Sequence, residues 1–301
     1  MPEVVVLGST SLDTLETPFG RAVGVLGGSA AYAGYACSFF SRPGIVSIVG
    51  RDFPKKYLTL MGKRGMDLSG LARASGQTFR WHGRYGFDVN VVQTIRTELN
   101  VLKNFDPELP GEYRRAEYLF LGNTSPKTQL SVMQQMKKRP QLVVSDTMNY
   151  YIEKNRKQVL RVCKESDIAL MNDSEARQLF RTPNLLAVAR KILALDSSCA
   201  IIKKGEHGAI MVSRKGFFSA PGYPLENIVD PTGCGDCFGG ALIGYLAKTK
   251  DFSEQGFRRA IVFASAVSSF NAEDFSLNKL TKISLKHIIA RYKKFKEFVK
   301  F

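Results

Sequence analysis

Residues 229–240 read Val-Asp-Pro-Thr-Gly-Cys-Gly-Asp-Cys-Phe-Gly-Gly and set a carboxylate where an anion would sit. Ile228 and Val229 read as the end of a strand; Gly233, Cys234 and Gly235 then form a tight turn, and Asp236 opens a helix. Phe238, Ala241, Leu242, Tyr245 and Leu246 recur along that helix at the spacing of one apolar face. A glycine-rich turn at a helix start leaves backbone N–H groups unpaired at the positive end of the helix dipole. Phosphate is the commonest occupant of such a pocket. A carboxylate there repels the anion unless it has its own task. Taking the proton from a hydroxyl that attacks phosphorus is such a task, and Asp236 is expected to be ionised for it at neutral pH. The simpler alternative is an aspartate that caps its helix by accepting from first-turn amides.

The same stretch contains Cys234-x-x-Cys237, a spacing shared by redox pairs and half zinc sites. Zinc would require two further ligands, and no second CxxC or HxxxH occurs; His82, His207 and His287 stand alone. The favoured interpretation is a pair of small residues, with blockage of the site by oxidation as a hypothesis. All five cysteines (37, 163, 199, 234 and 237) look like reduced, small core residues. Asn172-x-x-Glu175 has the spacing of a helix capping box and offers the hard oxygen ligands that suit Mg²⁺.

Positioning these groups requires a scaffold, and the apolar runs supply one. Val4–Leu7, Ile45–Val49, Tyr118–Leu121, Leu142–Val144, Ile168–Met171 and Ala200–Lys203 read as buried strands. Helical patterns near 28–40, 54–64, 127–138, 152–164, 173–181 and 184–195 alternate with them. A hairpin follows at 208–220, then helices at 254–271 and 284–299. Such alternation predicts an α/β fold, a mostly parallel sheet with helices on both faces. Thr78 to Val101 breaks the rhythm: Phe79, Trp81, Tyr85, Phe87, Val89 and Val91 alternate with Arg80, His82, Arg84, Asp88 and Asn90, as in an antiparallel sheet. A second strand pair from Leu12 to Val25 would join it in a small separate sheet.

The chain has 301 residues, 44% hydrophobic and 23% charged, as in an ordinary globular protein with a substantial core. No run of ~18 apolar residues spans a membrane, and the N-terminus enters a strand without a signal-like pattern, so a cytoplasmic enzyme is expected. The formal charge of +16 raises the alternative of a nucleic-acid-associated binding protein. The dense basic stretch from Lys279 to Lys300 carries apolar residues at 3–4 spacing, which favours a packed helix with a solvated basic face, so nucleic acid is not the expected partner.

The run Asp230-x-Thr232-Gly233-Cys234-Gly235-Asp236 resembles the C-terminal signature of the ribokinase (PfkB) family of carbohydrate kinases. Gly27-Gly28, Gly50-x-Asp52, Asn172-x-x-Glu175 and Gly205-x-x-Gly208 fall in the family's order, so the resemblance spans nearly the whole chain. It implies a three-layer α/β/α sandwich in one domain, 1–301, with a β-sheet lid from about 12–26 and 77–103. It implies ATP- and Mg²⁺-dependent transfer of the γ-phosphoryl group to a hydroxyl of a sugar or sugar-like alcohol. Asp236 would be general base and the amides of Gly233, Cys234, Gly235 and Asp236 the anion hole.

The resemblance further assigns Asn172 and Glu175 to Mg²⁺ through water, and Thr232, Lys204, Gly205 and Gly208 to the nucleotide. Asn271 is a candidate near the base, or a helix-end cap. On the acceptor side stand Asp13, Gly27, Gly28, Ser29, Tyr32, Trp81, and the loosely matching Asp146 and Asn149. Tyr32 replaces the asparagine usual in the family, which puts an aromatic surface in the pocket. With Phe79 and Trp81 it also encourages the alternative of a nucleoside kinase. The lid's aromatic face favours packing, including a homodimer through the lid, over stacking on a substrate ring. A monovalent cation such as K⁺ beside the Asp230 loop is left open.

Overall fold

A computed structural model gives the structure of the chain, and residues 1–300 are described. The strands are β1 (Val4–Leu7), β2 (Ser11–Thr17), β3 (Gly20–Gly27), β4 (Pro43–Val49), β5 (Asp67–Arg73), β6 (Phe79–Tyr85), β7 (Val92–Glu98), β8 (Tyr118–Leu121), β9 (Leu142–Ser145), β10 (Ile168–Asn172), β11 (Cys199–Lys203), β12 (Ala209–Ser213) and β13 (Gly216–Ala220). The α-helices are α1 (Ser29–Cys37), α2 (Lys55–Lys63), α3 (Pro126–Gln134), α4 (Asn149–Glu165), α5 (Asp173–Phe180), α6 (Leu185–Leu193), α7 (Cys234–Thr249), α8 (Glu254–Asn271), α9 (Asn278–Thr281) and α10 (Leu285–Phe298).

Nine strands form the main sheet in the order β13-β12-β11-β10-β9-β8-β1-β4-β5. From β11 to β5 neighbours run parallel, and β12 and β13 close one edge antiparallel. Continuous apolar strands are what a sheet covered on both faces requires. Val4, Val6, Tyr118, Phe120, Ile168 and Leu170 pack on one face with α1, α7 and α8. Their neighbours Val5, Leu7, Leu119 and Leu121 fill the core of the opposite face, where Ala169 and Met171 meet α4, α5 and α6. This is the three-layer α/β architecture that the alternation predicted.

The smaller sheet has the order β3-β2-β6-β7. Its outer pairs are antiparallel, but β2 and β6 pair in parallel, with Asp13 opposite Trp81. That departs from the antiparallel expectation and brings Asp13 and Trp81 side by side. The alternation also ends sooner than expected. Beyond Tyr85 the Asp88 carboxylate accepts from the Asn90 amide at 3.0 Å and turns the chain, leaving Phe87 95% exposed and Val89 and Val91 off any strand.

Three further local expectations are corrected. Ile228 and Val229 form no strand: they lie in an irregular segment before Pro231, where Val229 and Asp230 donate to the Ala272 carbonyl at 2.8 and 3.2 Å. α7 begins at Cys234, so Asp236 is its third residue rather than its first. β5 was unanticipated, because Asp67-Leu-Ser-Gly-Leu-Ala-Arg is a half-exposed edge without a clean apolar period.

Candidate active site

The first turn of α7 is open. Gly233 caps it in the left-handed region (φ 76°) with no side-chain cap, a conformation that favours glycine. A side chain there would also run into the Tyr32 ring beneath it. The Cys234 amide donates to the Pro231 carbonyl at 3.1 Å. The amides of Gly233, Gly235 and Asp236 find no acceptor among the described residues. Three amides, rather than the four expected, are therefore open at this turn, and Asp236 does not cap its own helix.

Around this turn stand groups from the ends of three adjacent parallel strands. Asp146 follows β9, Asn172 ends β10 and Lys203 ends β11, directly beside Asn172 in the sheet. Lys203 Nζ lies 2.6 Å from Asp146 Oδ2, both side chains being mostly buried (14% and 4% exposed). The same ammonium stands 3.0 Å from where a side chain on Gly235 would begin, so it lies close over the turn and a larger residue there would push it aside. Asp236 is raised to about 7, by burial first and then by the Asp146 charge, while Lys203 opposes the rise. The expectation of a fully ionised carboxylate is thus corrected to one poised near neutrality.

Glu175, on α5, is raised to about 8 by burial and by Asp146. Asn172 and Glu175 form a complete capping box: each backbone N–H donates to the other's side chain at 2.8 Å. The Glu175 Oε1 atom has no protein partner among the described residues.

Residues 3–282 match the pfkB family carbohydrate kinase. A curated relative, the cytidine kinase of Thermococcus kodakarensis, is 31% identical over 251 residues, 81% of this chain and 89% of its own. The chain belongs to the pfkB family of carbohydrate kinases. Its fold is also that of the Burkholderia thailandensis nucleoside kinase in complex with inosine, at a TM-score of 0.78 and 18% identity over 97% of this chain and 98% of that one. The ribokinase of Thermotoga maritima superposes at 0.77 with 18% identity, over 97% and 100%. The ribokinase-like fold and phosphoryl transfer to an alcohol acceptor follow from the family.

Asp13, the carboxylate expected on the acceptor side, is buried on β2. It is raised to about 7 by burial first, with the Asp230 and Asp236 charges adding to the rise. Its Oδ1 has no hydrogen-bond partner, and its Oδ2 fits only because residue 27 lacks a side chain. Trp81 lies alongside, its Nε1 donating to Thr94 Oγ1 at 3.3 Å. The small sheet is tied to the loop before α7 by the Thr232 hydroxyl, which donates to Tyr85 OH at 3.0 Å. Asn90, in the lid turn, sits against Gly205, so the small sheet reaches both the Asp230 loop and the Gly205–Gly208 loop.

Several expected residues take other places. Tyr32 offers no open aromatic surface; it is buried under Gly233, with its hydroxyl unpartnered. Ser29 ties the chain together, accepting from the Ser9 amide at 3.0 Å and donating to the Asn123 carbonyl at 3.2 Å, behind the Gly28 that starts α1. Asp146 pairs with Lys203 beside the α7 turn. Asn149 leaves the site altogether, its amide donating to Gln178 at 2.7 Å on the exposed side of α4.

Lys204 has its backbone bonded to the Gly208 carbonyl at 2.7 Å while its side chain makes no bond among the described residues. Asn271 is buried behind the turn, donating to the Thr232 carbonyl at 2.7 Å, and so braces the loop before α7. The cysteine pair is divided. The Cys234 thiol faces the Ser268 carbonyl on α8 and that of Cys237 faces the Tyr32 carbonyl on α1, and burial raises both.

Proposed function

We propose that this enzyme transfers the γ-phosphoryl group of ATP to a hydroxyl of a nucleoside, within the wider class of sugar-containing acceptors. One observation carries the proposal: Asp236, poised near neutrality, stands in the first turn of α7 beside three amides without acceptors. An acid with a pKa near working pH suits transfer of the hydroxyl proton, and fixed N–H donors suit the charge that spreads over the moving phosphoryl group. Asp13, with one oxygen unpartnered, accepts from the acceptor's hydroxyls. The loop from Gly205 to Gly208 and the Asp230–Thr232 segment border the nucleotide.

Mg²⁺ bound near the triphosphate would neutralise its oxygens, and the free Glu175 Oε1 with Asn172 would hold it through its waters while the capping box stays intact. Asp230 is buried with no cationic side chain bonded to it among the described residues, which supports a monovalent cation such as K⁺ beside it. The nucleoside assignment is favoured over a free sugar by the cytidine kinase relative and by Trp81 beside Asp13.

The whole chain serves as one kinase domain with segments 12–26 and 77–103 as its lid. The exposed Phe19, Val23, Val91 and Ile95 on that lid support a homodimer formed through it. No helix among the described residues is long and apolar enough to cross a membrane. Five free cysteines, four of them buried, fit a reducing, cytoplasmic setting.

The test is ADP release over cytidine, other nucleosides, ribose and small alcohols with ATP and Mg²⁺. The expected result is turnover with at least one nucleoside at far lower concentration than with any free sugar. Preference for a free sugar would overturn the nucleoside assignment, and no release with any acceptor would overturn the kinase reading itself.

A further inference from the structure

We infer that Lys203 is a second catalytic group of this kinase, its ammonium contacting the transferring phosphoryl oxygens from above the α7 turn. The inference rests on the proposed kinase reading and adds a residue to it. Lys203 is the last residue of β11, where the strand register sets it beside Asn172, and its ammonium lies against Gly235 in the first turn of α7. Asp146 holds Nζ at 2.6 Å from one side, and Gly235 clears the space on the other. An ammonium has three donors, so a single carboxylate bond leaves the others for oxygens in the pocket.

The surroundings require such a cation. Asp146, Glu175 and Asp236 all act on Lys203 and raise its affinity for its proton, against the burial that lowers it. Asp146 pairs with Lys203, and Glu175 and Asp236 stand near it, so Lys203 is the cation set among three carboxyls at this end. With it, the Asp146 pair is neutral, and the amides of Gly233, Gly235 and Asp236 meet the anion with a cation next to them. Bonds from a charged donor to phosphate are about twice as strong as neutral ones. Lys204, the neighbour that the motif pattern singled out, faces none of these groups.

Lys203→Met removes the charge at similar length but leaves Asp146 buried and unpaired, which is destabilising in itself. The double variant Lys203→Met/Asp146→Asn removes both charges and separates folding from function. Calorimetry should show ATP affinity lower by ~10–100-fold in both variants, the worth of one charge-assisted bond, with adenosine affinity within about twofold of wild type. Turnover should fall by ~10²-fold, as for loss of one donor to the transition state.

A folded double variant that keeps its preference for ATP over adenosine overturns the inference. A measurement on the unaltered protein decides it independently. The ¹⁵N resonance of the Lys203 ammonium should shift on addition of a non-hydrolysable ATP analogue and not of adenosine. No shift with the bound analogue overturns the assignment. An inactive wild type would sink the kinase reading, whereas an active wild type with indifferent Lys203 variants sinks only this one.

Discussion

Asp13 on the small sheet and Asp236 on α7 are both carboxyls raised to about 7, yet their surroundings differ in kind. Asp236 is raised by burial and by Asp146 and restrained by Lys203, so charges of both signs surround it. Asp13 feels only like charge, from Asp230 and Asp236, with no cation offsetting it. Asp236 stands at the open start of a helix, where a phosphoryl group and a proton can both arrive. Asp13 is 3% exposed, with one oxygen left unbonded, and it waits for a hydroxyl donor. On the proposed reading, the same elevated pKa would serve proton transfer at one end and hydroxyl capture at the other.

The largest break in that comparison should come from Asp236→Asn. Loss of a general base costs ~10²–10⁴-fold, so turnover should drop by at least ~10²-fold while ATP still binds. In the wild type, the rate should rise with pH through about 7, because only the ionised Asp236 accepts a proton and raising pH ionises it. The rising limb should vanish in Asp236→Asn. A variant that keeps near-normal turnover, or a wild-type profile flat from about pH 6 to about 8, would remove the base assignment.

Asp13→Asn should act at the other end. Removing a charged acceptor for the substrate's hydroxyls is worth ~1.5–3 kcal/mol, hence ~10–100-fold in kcat/KM for the acceptor, with ATP affinity unchanged. Gly27→Ala should match it, because the added methyl displaces the Asp13 carboxylate. Stability should move the opposite way. Burial favours protonated Asp13, so its contribution is full below about 3.8 and is lost as pH rises through about 7. At pH ~8 the Asp13→Asn substitution, which puts a neutral amide in place of the buried charge, should therefore raise the melting temperature of the ligand-free protein. A fall in both acceptor binding and stability would mark Asp13 as merely structural.

These two ends were not equally visible in the sequence. The α7 turn, Asn172-x-x-Glu175 and the parallel strands follow from local spacing, because each is set by glycine geometry, capping or an apolar run. Lys203 was hidden beside Lys204: adjacent residues at a strand end point opposite ways, and only the register with β10 shows which one turns in. Tyr32 carried an aromatic signal without a direction; the absent side chain of Gly233, over two hundred residues away, decides that it packs beneath the turn. Asp146 and Asn149 are three residues apart but diverge, because one meets Lys203 and the other begins a helix. The parallel pairing of β2 with β6, which joins Asp13 to Trp81, is a long-range choice that alternation cannot reveal.

The finest test concerns what joins the two ends. The Thr232 hydroxyl donates to Tyr85 OH at 3.0 Å, linking the loop before α7 to the strand that carries Trp81. Tyr85→Phe keeps the ring and deletes the acceptor, so the cost should be that of one ordinary hydrogen bond, ~0.5–1.5 kcal/mol. If that bond holds the lid over the acceptor, the acceptor's KM should rise by ~2–10-fold with kcat little changed. Thr232→Val should have a similar effect, and the double variant should be no worse than either alone, since the bond is already gone. Additive losses would mean that each residue acts separately, and the small sheet would then be held closed by its contacts around Asn90 and Gly205 instead.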